Sequence, residues 1–324
     1  MTPPPTAPAD RPVDLAVSHA PNPAAGYADA MGVAQQLADL VRPAFTDPTP
    51  GVPQVDVVDV GANPIDGEPP YRQLLDAGLC RVTGFEPQSA ALAELRRQAG
   101  PLERYLPYAV GDGDQHTLHL CATSGFASLL EPDAQQLDLL VDFPELARVT
   151  GRERVDTQRL DDIEEISEVD YLKIDIQGGE LSVLRAGRQK LSRAVAIHTE
   201  VGFHRLYHDQ PTFADVDLEL RDQGFVPHQF VSTRTWPMVP VTWGDPLQQA
   251  ARQLVEADIL YVRDPVQLDR LDVGQLARLT LVADVIYGSF GLALRCVQEL
   301  IARGVVDQAA EHRYRALAAM RLGA

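Results

Sequence analysis

A glycine and a carboxylate mark the ends of two strand-like runs of this sequence, and both residue types suit the binding of a ligand at that place. The β-branched run 55–60 ends directly before Gly61, and the run 81–86 ends in Glu86. A glycine lets the backbone approach a ligand closely, and a carboxylate after the second strand accepts hydrogen bonds from ribose hydroxyls. The two signals together predict a nucleoside cofactor. The predicted cofactor-binding residues are Asp59, Gly61, Ala62, Asn63, Glu86, Val110 and Asp112.

The loop after the first run distinguishes two classes of cofactor. A nicotinamide dinucleotide needs three glycines spaced to hold a pyrophosphate at a helix start, whereas this loop continues with Asp66 and Glu68. These carboxylates repel a pyrophosphate and attract the positive sulfonium of S-adenosylmethionine (SAM), which carries no phosphate. The loop therefore favours SAM, and an NAD-linked oxidoreductase is the alternative. Asp112 has a second interpretation of equal weight, which is the capping of a turn.

Two later carboxylates are candidates for the chemistry itself. Asp175 lies at the end of the apolar run 169–176, and Glu200 ends the run 194–200. Because the carboxyl ends of parallel strands meet at one edge of a sheet, both are expected to face the cofactor crevice as catalytic residues. Their oxygens suit a Mg²⁺ ion, and the alternative is that they cap neighbouring helices. Lys173 is interpreted as the partner of a buried carboxylate.

The segment after Glu200 carries a second group of candidates. His204 and His208 are four residues apart, and an imidazole is a natural base for an alcohol, so both are predicted to be catalytic. No third ligand completes a zinc site with them. Phe203 and Tyr207 are predicted to form the wall of a substrate pocket. His198, inside an apolar strand, is interpreted as a hydrogen-bonded core residue.

The elements that must position these residues alternate between strand and helix patterns, which predicts parallel βαβ units with helices on both faces of a sheet. From 266 onward the apolar residues recur at helical spacing only. Three segments are therefore expected: a flexible Pro/Ala-rich tail (1–26), a main domain (27–265) and a C-terminal helical appendage (266–324). The appendage covers the active site, forms a homodimer contact or packs on the sheet. The predicted strands are 55–60, 81–86, 105–110, 169–176, 194–200, 225–231 and 259–262, with an edge or inserted strand at 116–121.

The charge and cysteine content exclude several kinds of partner. The 324 residues carry 28 Lys and Arg against 46 Asp and Glu, for a formal net charge of −18. A surface this acidic repels phosphate backbones, so no nucleic acid partner is expected. Three widely separated cysteines give neither a disulfide framework nor zinc spacing. Without a secretory signal or a long apolar run, a cytoplasmic location with no membrane partner is expected.

Several of these segments together resemble the FkbM-type methyltransferases, and the resemblance covers residues 55 to 230. The segments that carry it are Asp59–Asn63, Phe85–Pro87, Tyr108–Asp112, Leu160–Asp162 and Asp170–Glu180. The resemblance implies a Rossmann-like class I fold with a mostly parallel, seven-stranded sheet closed by an antiparallel hairpin. It also implies SAM as the methyl donor and O-methylation of a hydroxyl on a sugar or small secondary metabolite. A non-catalytic interaction protein on the same fold is a further alternative.

Two positions depart from the pattern of that family. Ile65 stands where the family usually has a second glycine, so the cofactor loop is expected to follow a different path. Gln177 stands where the family often has Glu, which removes a negative charge from the rim of the site and weakens the case for a metal ion.

Overall fold

The computed structural model of the protein describes residues 17–19, 27–45, 54–63, 67–242, 244–250 and 252–322. Its strands are β1 (Val17–His19), β2 (Val55–Val60), β3 (Cys80–Phe85), β4 (Glu103–Leu106), β5 (Ala109–Gly111), β6 (Gln115–Cys121), β7 (Val149–Arg159), β8 (Tyr171–Ile174), β9 (Ala196–Gly202), β10 (Phe225–Trp236) and β11 (Gln253–Arg263). Its α-helices are α1 (Tyr27–Val41), α2 (Arg72–Asp76), α3 (Ser89–Gln98), α4 (Ala134–Leu137), α5 (Phe143–Leu146), α6 (Glu180–Ala186), α7 (Arg188–Leu191), α8 (Phe213–Asp222), α9 (Val273–Leu281), α10 (Phe290–Ala302) and α11 (Ala310–Leu322).

The main sheet has the strand order β1-β10-β11-β9-β8-β2-β3-β4. Its strands from β9 to β4 are parallel, and β11 and β10 close it as an antiparallel hairpin. This order confirms the predicted seven-stranded, mostly parallel α/β sheet with a C-terminal helical region. Strand β1 adds an eighth, antiparallel strand at the edge, within the predicted flexible tail. The rest of that tail lies outside the described residues.

One predicted strand is divided in the structure. The run 105–110 becomes β4 in the main sheet and β5 in a second sheet, whose strand order is β5-β7-β6. Strand β6 corresponds to the predicted inserted strand. Strand β7 was not predicted because most of its side chains are exposed and polar, so it lacks the apolar alternation that marks a half-buried strand. The second sheet lies beside the cofactor end of the cavity described below, where Leu118 and Val155 form part of the wall.

The two faces of the main sheet carry separate apolar cores. Helices α6 and α8 cover one face, where they pack against alternate residues of β2, β8 and β9. Helices α1, α9 and α10 cover the other face, and Leu276 and Cys296 lie in the same core as Val57 and Tyr171. The C-terminal helices thus pack on the sheet, which was one of the three predicted roles; a homodimer contact through them stays a prediction. Among the described residues, no helix combines the length and the apolar character needed to cross a membrane.

Candidate active site

A cavity of about 650 Å³ opens at the carboxyl ends of the parallel strands. This is the edge of the sheet where ligands bind in doubly wound folds. The cavity brings together residues that lie more than a hundred positions apart in the sequence. The predicted site residues that line it are Asp59, Gly61, Ala62, Asn63, Glu86, Val110 and Asp175.

Gly61 turns the chain at the end of β2 with a φ of +79°, a backbone conformation that side chains other than glycine rarely adopt. A Cβ at this position would lie 2.0 Å from the backbone oxygen of Asp175. The N–H groups of Gly61 and Ala62 both donate to the carbonyl of Phe85, at 3.2 and 3.0 Å. The turn is therefore held against both neighbouring strands, and only a glycine fits between them.

Asp59 lies at the base of this turn and is almost fully buried. Tyr71 donates from its hydroxyl to Asp59 Oδ2 at 2.7 Å, and Lys173 Nζ lies 3.4 Å from Asp59 Oδ1. Lys173 Nζ also donates to the carbonyl of Gly61 at 3.1 Å. Burial raises the pKa of Asp59, and the charge of Lys173 opposes that rise. The predicted role of Lys173 as the partner of a buried carboxylate matches this geometry, and the pair also fixes the cofactor loop.

Glu86 follows β3 and lies on the cavity wall with a side chain that is nearly buried. The backbone N–H of Gln88 donates to Glu86 Oε1 at 2.7 Å. Burial raises the pKa of Glu86, and this hydrogen bond opposes the rise. Beside it, the rings of Phe85 and Tyr108 stack with their centroids 6.2 Å apart. A carboxylate next to a flat apolar wall suits a ribose joined to a purine.

Asp112 is not among the residues that line the cavity. Its Oδ1 accepts hydrogen bonds from the Asp114 N–H at 3.0 Å and from Thr157 Oγ1 at 3.2 Å, and it lies 2.8 Å from His116 Nε2. The geometry therefore favours the turn-capping interpretation over cofactor binding, because the turn between β5 and β6 points the carboxylate toward its own backbone.

The side-chain amide of Gln177 lies between Asp175 and Glu200 and donates hydrogen bonds to both. Gln177 Nε2 donates to Asp175 Oδ1 at 3.2 Å and to Glu200 Oε2 at 3.1 Å. Asp175 lines the cavity, whereas Glu200 lies behind it and is almost fully buried. Burial, together with the charges of Glu256 and Asp175, raises the pKa of Glu200 well above its ordinary value. The predicted catalytic carboxylates are thus adjacent, but only Asp175 reaches the space where a substrate binds.

The candidates after Glu200 lie outside the cavity lining. His208 is more than half exposed beside Asp133, with 3.4 Å between Nδ1 and Oδ2. His204 Nε2 lies 3.4 Å from the carbonyl of Gln136. The segment pairs with the residues before α4, through the N–H of Asp133 to the carbonyl of Leu206 and the N–H of His208 to the carbonyl of Glu131, and neither imidazole lines the cavity. Phe203 instead stacks on the ring of Phe213, with the centroids 5.2 Å apart.

Tyr207 supports the site from behind. Its side chain is buried, and its hydroxyl oxygen lies 3.2 Å from both the carbonyl of Phe126 and Gln177 Oε1, between which its one proton is shared. Phe126 and Gln177 both line the cavity. The residue predicted to form the wall of a substrate pocket is therefore one layer behind that wall and holds two of its members.

His198 was interpreted as a core residue, yet it lines the cavity. Its Nδ1 lies 2.8 Å from the hydroxyl of Tyr287, and its Nε2 lies 3.5 Å from Asp258 Oδ1. Burial acts to raise the pKa of Asp258, but the hydrogen bond and the charge of His198 outweigh burial and lower that pKa. Side chains alternate along a strand, so His198 lies on the same face as Glu200, two residues further on, which the sequence had predicted to face the crevice. That alternation was the sequence signal that could have found it.

The opposite end of the cavity is apolar. Phe143 lies between two other aromatic rings, with centroids 5.2 Å from Phe126 and 4.9 Å from Trp236. All three rings line the cavity, and the ion pair between Arg234 and Glu256, 2.6 Å apart, lies beside them. The cavity lining therefore includes the residues that follow β2 and β3 as well as a group of aromatic rings with charged neighbours from β10 and β11.

Comparison with known proteins gives several similarities. A family model described as "Methyltransferase FkbM domain" matches residues 59–227. The 2-O-methyltransferase NoeI of Sinorhizobium fredii (strain NBRC 101917 / NGR234) is 29% identical over 181 residues, which are 51% of this chain and 71% of that protein. The SAM-bound structure of magnesium protoporphyrin IX methyltransferase (ChlM) from Synechocystis PCC 6803 is similar with a TM-score of 0.35 and 13% identity, over 72% of this chain and 81% of that one.

A second solved structure is precorrin-6y C5,15-methyltransferase from Geobacter metallireducens GS-15, with a TM-score of 0.32 and 12% identity over 70% of this chain and 87% of that one. The family match covers more than half of the present chain, and it begins at the buried Asp59 and includes Gly61, Glu86 and Asp175. The chain therefore belongs to the FkbM methyltransferase family.

Proposed function

We propose that this chain transfers the methyl group of SAM to a hydroxyl of a small acceptor, with a sugar as the favoured acceptor class. The observation that carries this proposal is that six of the seven predicted cofactor residues and an imidazole, that of His198, line one cavity. The similarity to a protein named as a 2-O-methyltransferase supports oxygen as the methyl acceptor.

The cofactor end of the cavity fits SAM better than a dinucleotide. Glu68 and Glu86 line it, and Asp59 lies at its base. Carboxylates at this position attract a sulfonium and an amino group and repel a pyrophosphate. Gly61 lets the backbone pass close to the ligand, where any Cβ would collide with Asp175. These features favour SAM over the NAD alternative.

The acceptor end of the cavity suits a sugar. The flat faces of Phe126, Phe143 and Trp236 can pack against the C–H face of a ring. The neighbouring pair of Arg234 and Glu256 offers hydrogen-bonding groups for ring hydroxyls. An apolar wall beside polar groups is the combination that a polyhydroxylated ring requires.

The reaction needs an acceptor oxygen in line with the methyl group and a group that takes its proton. SAM, when bound, supplies a methyl carbon whose bond to sulfur breaks as the bond to oxygen forms. Among the histidines whose side chains the structure describes, only His198 lines the cavity. Asp258 and Tyr287 fix its ring, and Asp175 lies on the same wall. We assign to His198 the role that the sequence had suggested for His204 and His208, with the proton of the acceptor hydroxyl going to Nε2, the more loosely held nitrogen, where Asp258 at 3.5 Å stabilises the imidazolium.

Substitution of the three histidines separates these assignments. His198→Ala is expected to lower kcat for methyl transfer about 10²-fold or more, because a positioned base contributes about that factor. His204→Ala and His208→Ala are expected to keep kcat close to the wild-type value, because neither imidazole reaches the cavity. Steady-state kinetics with one acceptor test all three. A large loss of kcat in His204→Ala with none in His198→Ala would contradict the assignment.

Transfer of radiolabelled methyl from SAM tests the proposed function directly. A panel of mono- and oligosaccharides, small alcohols and amines is offered to the wild-type chain, with His198→Ala as the control. Label is expected in at least one hydroxyl acceptor, and the product is expected to resist the acid and base treatments that cleave esters. Label that enters amines or carbon acceptors only would overturn O-methylation, and transfer at the wild-type rate in His198→Ala would overturn the role of that residue.

A further inference from the structure

Three carboxyl groups of the site are close enough to share a cation. One oxygen each from Asp175, Glu180 and Glu200 lies within 4.8 Å of the others. Hard divalent cations such as Mg²⁺ bind oxygen ligands of this kind. The hydrogen bonds around the three groups decide whether a cation fits, because an oxygen already occupied by a protein donor is a poor ligand.

Gln177 fills the position between two of these groups. Its Nε2 lies 3.2 Å from Asp175 Oδ1 and 3.1 Å and 3.3 Å from the two oxygens of Glu200. An amide NH₂ only donates hydrogen bonds and cannot bind a cation. Glu180 Oε1 is occupied as well, because it accepts from the N–H groups of Ile176 at 2.8 Å and Gly178 at 3.2 Å. Four of the six carboxylate oxygens of this cluster therefore already accept a hydrogen bond, which favours an amide bridge over a metal ion.

The orientation of the Gln177 amide is fixed by the carboxyl groups on one side of it. The reversed amide would place Oε1 against the oxygens of Asp175 and Glu200, so that acceptors would face one another. The Tyr207 hydroxyl, 3.2 Å from Gln177 Oε1, suits either orientation because it can donate or accept. The observed orientation alone gives every one of these carboxylate oxygens a donor.

The backbone of Gln177 is held in a conformation that aims its side chain at this position. Its φ is +57°, in the left-handed region that residues with a Cβ adopt at a cost. The hydroxyl of Ser128 donates to the Gln177 carbonyl at 2.7 Å and accepts from the N–H of Leu130 at 3.0 Å. Contacts from two separate segments thus hold one side chain between two carboxyl groups.

We propose that Gln177 is a positioning residue that takes the place of a divalent cation in this chain. Its amide joins Asp175 to Glu200 and keeps Asp175 at the cavity wall, so methyl transfer requires no added metal. The expectation that methyl transfer needs no metal rests on the proposed function. The expectation that the cluster binds no cation rests only on the hydrogen bonds described above.

Titration with Mn²⁺, read by electron paramagnetic resonance and by calorimetry, tests the binding part without an acceptor. The wild-type chain is expected to bind no Mn²⁺ at the cavity. Gln177→Glu replaces the donor with a ligand oxygen and is expected to bind one Mn²⁺ per chain, at least about tenfold more tightly than any Mn²⁺ bound elsewhere on the wild type. Gln177→Leu, which removes the amide without adding charge, is the matched control and is expected not to bind. One Mn²⁺ bound at the cavity by the wild type would overturn the proposal, whatever Gln177→Glu binds.

Two further measurements complete the test. The Tm with and without Mn²⁺ shows whether a variant is folded and binds the cation, and the effect of EDTA on methyl transfer shows whether the reaction needs a metal. Mn²⁺ is expected to raise the Tm of Gln177→Glu and to leave that of the wild type unchanged, because a ligand that binds only the folded state stabilises it. EDTA is expected to leave methyl transfer by the wild type intact and to inhibit Gln177→Glu. Loss of wild-type transfer with EDTA and its recovery with Mg²⁺ would contradict the proposal. Failure of O-methylation would appear as no transfer in either condition, with the Mn²⁺ result unaffected.

Discussion

Replacement of Gly61 by alanine is expected to reduce SAM affinity about 100-fold or more. The added Cβ would lie 2.0 Å from the backbone oxygen of Asp175, which is a fixed atom of the neighbouring strand end. The φ of +79° adds strain for any residue with a side chain. The turn must shift, and with it the Ala62 and Asn63 backbone that forms the cofactor wall. Each 1.4 kcal/mol of lost contact lowers affinity about tenfold.

Calorimetric titration of SAM into Gly61→Ala measures this effect, with circular dichroism to show that the variant is folded. Gly32→Ala is the matched control, because Gly32 lies in α1 and a Cβ there meets no atom within 4 Å. The control is expected to bind SAM as the wild type does. Wild-type affinity in a folded Gly61→Ala would mean that the turn is not part of the cofactor site.

Replacement of Lys173 by methionine is expected to lower the free energy of unfolding by about 3–5 kcal/mol, because loss of one partner leaves a buried charge without compensation. Lys173 faces Asp59, whose side chain is only 2% exposed, and it also donates to the carbonyl of Gly61. Burial opposes the charged form of Lys173, but the carboxylates of Asp59, Asp175 and Asp258 raise its pKa above the ordinary value. The removal of one ammonium group therefore affects three carboxylates.

Urea unfolding measures the loss, and the ion pair between Arg81 and Asp56 is the control. That pair is similar in distance, at 3.0 Å, but the Arg81 side chain is 58% exposed. Arg81→Met is expected to cost about 0–1 kcal/mol, as surface ion pairs do. Equal losses in the two variants would show that the contact with Asp59 is no stronger than a surface pair.

Local sequence patterns were sufficient to predict the parallel half of the fold. Strand β2 is buried along most of its length, and its four valines form a β-branched run that ends directly before a glycine. Gly61 follows β2 directly and Glu86 follows β3 directly, so their place at the edge of the sheet could be inferred from position alone. Strand β1 could not be predicted in this way. It has only three residues, too few for a pattern of their own, and they form a strand because they pair with the edge of β10.

The acceptor end of the site could not be predicted from local patterns, because it depends on pairing between distant segments. Asp258 lies opposite Glu200 through the antiparallel register of β11 and β9, and no short-range signal sets that register. Tyr287 follows the short π-helix Val282–Ile286, which positions its hydroxyl against His198 from 89 residues away. The spacing of His204 and His208 was misleading because the segment that contains them is not helical.

The cavity at the carboxyl ends of β2, β3 and β8 is expected to bind SAM. Calorimetric titration of the wild-type chain with SAM, and separately with NADH, measures this binding. We expect one SAM per chain with a Kd below about 1 mM, the upper range of ordinary enzyme substrates, and a clear loss of affinity in Glu86→Gln. Binding of NADH with no heat from SAM would contradict it.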